Sequence, residues 1–147
     1  MSRLSILFVC CFAFVSCRDN NLVENDYSYI SDPRARWRAY NLTNYIIEQD
    51  VHCFCKPYFG KCFVYVQSDT VSDVINIDNS TSIFSVAGRR FRTVNQLFEL
   101  IDQNKNADQL DVEYNHRYGY PSRVFIDYFE IVDEELSIVT QNLKPIK

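Results

Sequence analysis

The chain has 147 residues, with 15 basic and 19 acidic side chains, a net charge of −4 and no long basic run. That balance argues against a nucleic-acid partner, because phosphate neutralisation needs clustered positive charge. No Gly-rich phosphate loop, G-x-S-x-G or H-E-x-x-H appears, so the commonest nucleotide, serine-hydrolase and zinc-protease signatures are missing.

The first predicted element is a targeting signal. Arg3 supplies a short positive start, and Ile6 to Val15 is an unbroken apolar run. A membrane span needs about 20 such residues, so this shorter run reads as a secretory signal over residues 1–16. Phe14, Val15, Ser16 and Cys17 resemble a bacterial lipobox, in which the cysteine becomes the lipidated N-terminus; Phe14 departs from the usual aliphatic residue. The alternative is ordinary cleavage after Cys17 and plain secretion. Either way an extracytoplasmic location is expected, with Cys17 as the lipidation candidate and the membrane as a partner through that lipid. Residues 17–31 are polar and would serve as a tether, and 32–147 are read as one domain with a sizeable core. Aromatic residues make up 15% of the chain, so that core should be rich in rings.

Asp32 and Pro33 mark a helix start, one as cap and the other at the first helical position. Trp37 and Tyr40 would be its buried edge, and Arg34, Arg36 and Arg38 a solvated face. From Tyr45 the period changes to two: Tyr45, Ile47, Val51 and Cys53 alternate with Glu48, Asp50 and His52, which predicts a strand. A hairpin follows over Phe63–Val66 and Val71–Ile77, turning at Ser68, Asp69 and Thr70. Residues 78–92 read as a loop. Thr93 and Gln96 form a capping box for a second helix whose core stripe is Val94, Leu97, Phe98 and Ile101. Three further strands are expected over 109–115, 123–130 and 136–143, with a last turn at 131–135. The predicted fold is α+β: two helices on one face of an antiparallel sheet of about six strands, built as helix and three strands twice.

Between two of those strands stand Tyr118, Gly119, Tyr120 and Pro121. Gly119 can take a positive φ, while Pro121 fixes its own φ and pushes Tyr120 toward an extended conformation. Two readings stay open: a corner whose rings pack back on the sheet, or a rigid aromatic interaction surface made of Tyr118, Gly119, Tyr120 and Pro121.

Outside the signal, Cys53, Cys55 and Cys62 remain. In an oxidising compartment a disulfide is expected. Cys55 with Cys62 is favoured because Pro57 and Gly60 let the chain turn back; Cys53 with Cys62 is the rival, and Cys53 with Cys55 is disfavoured as strained. Metal ligation by His52, His116 and the cysteines is disfavoured, since C-x-C-x6-C is not a standard zinc spacing, and no cofactor is expected. A free thiol paired with His116 lacks a supporting local motif. Asp133, Glu134 and Glu135 form an acidic turn that reads as solvated, and Asn41 and Asn79 begin glycosylation sequons.

Taken in order, the lipobox-like Cys17, Trp37, Cys53-Phe54-Cys55, Thr93 with Leu97-Phe98, Tyr114 with the Tyr118–Pro121 turn, and Asp133-Glu134-Glu135 carry a resemblance. Over nearly the whole chain beyond the signal they resemble DUF6174, a bacterial family of small secreted proteins and lipoproteins of unknown function. The family implies no activity. The functional expectation is therefore a lipid-anchored, non-catalytic binding or scaffold domain that meets an envelope protein. The alternatives are a secreted hydrolase or thiol enzyme using His52, His116 or the acidic turn, and a metal-handling lipoprotein.

Overall fold

A computed structural model describes residues 25–128 and 135–146. The signal at 1–16, Cys17, and the Asp133-Glu134 part of the acidic turn lie outside these described residues; Glu135 is exposed at the start of the last strand.

Helix α1 spans Pro33–Tyr40. Asp32 caps it by accepting from the amides of Arg34 and Ala35, and Asn41 ends it at φ 49, the left-handed conformation that stops helices. Six strands follow: β1 Tyr45–Cys53, β2 Lys61–Gln67, β3 Thr70–Asn76, β4 Gln109–Tyr114, β5 Pro121–Asp127 and β6 Glu135–Pro145. They form one antiparallel sheet in the order β3-β2-β1-β6-β5-β4. Two three-stranded meanders thus meet at the β1–β6 seam. This is the α+β class with the expected sheet.

The β2–β3 hairpin turns on Ser68 and Asp69, both at positive φ. A two-residue loop of that kind follows the twist of the strands it joins. Ser68 is held by the Asn44 side chain and Asp69 by the Thr43 carbonyl, which anchors an uncommon backbone state to neighbouring chain.

Period two in β1 buries Tyr45, Ile47, Gln49 and Val51 and leaves His52 exposed. Tyr45 joins several elements at once. Its ring meets Trp37 edge-on at 5.5 Å, and its hydroxyl accepts from the Val94 amide at 2.8 Å. Helix α3, Val94–Gln103, starts at that amide behind the Thr93–Gln96 capping box. Trp37 in turn donates to Asn95, and Asn95 donates to Asp69 of the hairpin turn. Edge-to-face rings contribute about 0.5–1.5 kcal/mol beyond the area they bury.

The stretch expected as a loop over 78–92 contains structure. After β3 the chain doubles back along its edge, through a bridge between Ile75 and Ser82 and a bond from the Ile83 amide to the Val74 carbonyl. It then forms the single-turn helix α2, Phe84–Ala87, and a 3-10 turn, Gly88–Arg90. Only one turn of helix lies here and no side chain caps it, so there is no periodicity to read.

The Tyr118–Pro121 tip is a packed corner, the first of the two readings; the interaction-surface candidates Tyr118, Gly119, Tyr120 and Pro121 are not exposed. Tyr118 is 9% and Tyr120 3% exposed, while Gly119 and Pro121 are buried. The cause is Gly119, at φ 79: a Cβ on it would lie 2.2 Å from the Pro33 carbonyl oxygen. Helix α1 therefore sits directly on this backbone, and Tyr40 packs on Tyr118 with centroids 4.8 Å apart. The same contact overturns the solvated reading of Arg36. Arg36 is buried, and its guanidinium donates to the carbonyls of Ile30 and His116. Arg34 pairs with Asp102 at 2.6 Å and lies over Phe98; Arg38 stays exposed.

Candidate functional site

A groove of about 960 Å³ lies between the α2 and 3-10 segment on one side and α3 on the other. Thr70 and Val71 of β3 close one end, and Glu99, Leu100 and Gln103 of α3 form the far wall. The near wall combines exposed apolar side chains with cations. Phe84 is 42% and Val86 75% exposed, high values for large apolar groups. Gly88 makes this wall: a Cβ there would fall 2.6 Å from the Phe84 ring, so the missing side chain lets that ring lie against the backbone.

The three neighbouring arginines differ in what they do. Arg90 turns away to the Cys55–Pro57 segment, where it donates to the carbonyls of Cys55 (3.3 Å), Lys56 (3.0 Å) and Pro57 (2.7 Å) and lies over Phe59. Arg92 is half-buried, and desolvation holds its guanidinium below the ordinary arginine value. Its backbone is fixed by Gln49 of β1, a fully buried side chain whose amide donates to the Arg92 carbonyl at 2.7 Å and accepts from the Arg92 amide at 3.1 Å. Gln49 thus acts as a surrogate peptide group that pins the groove floor to the sheet. Arg89 is exposed, and its side chain has no hydrogen bond or ion pair among the described residues.

The cysteines pair as Cys53 with Cys55, with Cα atoms 5.1 Å apart, and Cys62 is a buried free thiol. This replaces the expected Cys55–Cys62 bond. Register also removes the rival Cys53–Cys62 pairing: Cys62 lies opposite Gln49, so Cys53 is four residues further along β1, about 13 Å away at strand spacing. Burial pushes the Cys62 thiol up to about 11, well short of a working nucleophile at neutral pH. A thiol held neutral by the fold contributes stability below its ordinary value of 9.0, and that contribution is lost as pH rises through 11. The wild-type chain is therefore expected to lose stability more steeply between pH 9 and 11 than Cys62→Ala, as read by urea unfolding across that range.

The two histidines do not come together in one site. His52 pairs across the sheet with Ser137, which faces Phe125, whereas His116 precedes Pro121 in the β4–β5 turn. That separates them by roughly 15 Å or more. His52 stacks on Tyr58 at 4.8 Å, and Asp50 accepts from the Tyr58 hydroxyl at 2.8 Å. Nε2 of His52 faces both Asp50, at 3.2 Å, and Tyr58, at 3.4 Å. Both contacts fall on one ring nitrogen, so Asp50 and Tyr58 do not stand on opposite sides of the imidazole as an orienting carboxylate and a nucleophile would. Cys62 points to the buried face and His52 to the opposite one, so they cannot pair either. Among the described residues no three His, Cys, Asp or Glu side chains group to hold a metal, and two of the proposed thiol ligands are bonded to each other.

These features define an α+β domain with a cationic and aromatic groove and a cross-linked loop beside it. The chain belongs to the family of unknown function DUF6174, whose profile matches residues 30–145. Comparison with curated proteins and with solved structures returns no match.

Proposed function

We propose that this protein is a lipid-anchored extracytoplasmic binding domain whose groove receives an acidic, apolar-bearing polypeptide segment of an envelope partner. The observation that carries the reading is the juxtaposition of exposed Phe84 and Val86 with Arg89, a cation left without a partner among the described residues. A charge whose own chain does not neutralise it favours an anionic partner, and the adjoining apolar surface supplies the contact area. Glu99 on the far wall limits how many acids can enter, which suits a mixed segment better than a polyanion.

The longer helices α1 and α3 share the buried face of the sheet in this reading, as the joint contacts of Tyr45 with Trp37 and Val94 suggest. Support for the anchor comes from the ten-residue apolar run ending beside Ser16 and Cys17. The Cys53–Cys55 bond agrees with an oxidising compartment. The test is a titration of the full chain with a fluorescent peptide alternating glutamate and leucine. Arg89→Glu is expected to weaken binding about tenfold, and Val86→Asp similarly, with unfolding curves unchanged. Equal affinity of Arg89→Glu and wild type would remove the groove from consideration.

A further inference from the structure

We propose that the Cys53–Cys55 pair is a thiol–disulfide exchange site that takes a protein dithiol as its reductant. It goes beyond the binding role and does not use Arg89 or the groove.

The bond contributes little as a strut. It joins residues two apart, so it removes very little freedom from the unfolded chain. The loop it closes is already held by other means. Arg90 binds three successive carbonyls, Tyr58 donates to Asp50, and the Asn76 side chain donates to the Phe59 carbonyl. The cross-link can therefore open while the loop keeps its place.

Access and charge point the same way. Phe54, between the two cysteines, is 73% exposed, and Tyr58 nearby is 58% exposed. Together they offer an apolar platform to a docking polypeptide. Cys53 and Cys55 are half-buried at the end of β1, within reach from solvent. The Arg90 guanidinium bonded to the Cys55 carbonyl, with Lys56 next in sequence, gives this segment a positive surrounding, which favours departure of Cys55 as thiolate. Cys62, buried on the sheet opposite Gln49, is kept out of the exchange, so the chemistry is confined to one pair.

In the exchange, a thiolate of the partner dithiol attacks Sγ of Cys53. The Cys53–Cys55 bond breaks, and its electron pair leaves on Sγ of Cys55. The partner's second thiolate then attacks its own sulfur in the mixed disulfide and releases Cys53. The partner is oxidised to a disulfide, the pair is reduced to two thiols, and the two protons of the partner dithiol balance those taken up.

The experiment uses the full oxidised chain, and Cys62→Ser beside it, under native conditions. Each is mixed with a synthetic peptide carrying two cysteines, quenched with acid, alkylated and weighed. We expect two alkylated sites at Cys53 and Cys55, one peptide disulfide formed per chain, and an unchanged circular dichroism spectrum. The rate should exceed that with oxidised glutathione at equal concentration by about tenfold, and Arg90→Gln should slow it about fivefold. Arg89→Glu should leave it unchanged, which separates failure here from failure of the groove. Three results would overturn the proposal: no alkylation until denaturant is added, loss of the fold on reduction, or a rate no greater than that of oxidised glutathione. The wild-type measurement stands alone if a variant does not fold.

Discussion

Replacing Gly119 by alanine is expected to destabilise the protein by about 3 kcal/mol or more, among the largest effects of any single methyl group in this chain. Two costs add. The backbone at φ 79 is one that L side chains rarely adopt. The new Cβ would also fall 2.2 Å from the Pro33 carbonyl oxygen and 3.0 Å from Cβ of Arg36. A carbonyl in the first turn of a helix cannot swing aside as a side-chain tip can, so α1 must lift off the corner. Lifting it would uncover Tyr118 and withdraw Arg36 from the His116 carbonyl. Urea unfolding of wild type and Gly119→Ala measures the loss directly. A change below 1 kcal/mol would mean that α1 is not seated on this turn.

The second large effect is expected at Gln49. Gln49→Met keeps the volume and removes both hydrogen bonds, leaving the Arg92 amide and carbonyl unpaired beside the sheet. Each buried orphan costs about 1–3 kcal/mol, so a loss of roughly 2–6 kcal/mol follows for the two. The damage should be local as well as global. Hydrogen exchange of the Arg92 amide and of the first turn of α3 should accelerate more than that of β5. A uniform rise across the sheet would contradict the assignment of Gln49 as the clamp of the groove floor.

The parts of this architecture that were legible in the sequence are those governed by local rules. Asp32 with Pro33, and Thr93 with Gln96, announce helix starts because capping involves residues within one turn of each other. The alternation Tyr45, Ile47, Val51 announces β1 because a strand buries one face at a time. What escaped depends on contacts between distant segments. Arg36 looks like part of a solvated basic face until the turn at Gly119, far along the chain, supplies a carbonyl for it. The positive φ of Gly119 was readable, whereas the helix lying against it was not. For the cysteines, the rival Cys53–Cys62 pairing failed on the β1–β2 register, which sets Cys62 against Gln49 and out of reach of Cys53. The groove was missed because its near wall, Phe84 to Arg90, has too few helical residues to show a period. Its one signal was the pair Arg89 and Arg90 inside an otherwise neutral, apolar stretch.

The central claim is the location of the binding surface, and an amide chemical-shift titration tests it most directly. Isotope-labelled full chain would be titrated with the peptide alternating glutamate and leucine. Saturable shifts are expected at Phe84–Arg92 and along α3 from Gln96 to Gln103, the two walls of the groove. Shifts confined instead to Glu48, Phe63, Tyr65 and Val139, which share the opposite face of the sheet, would contradict it.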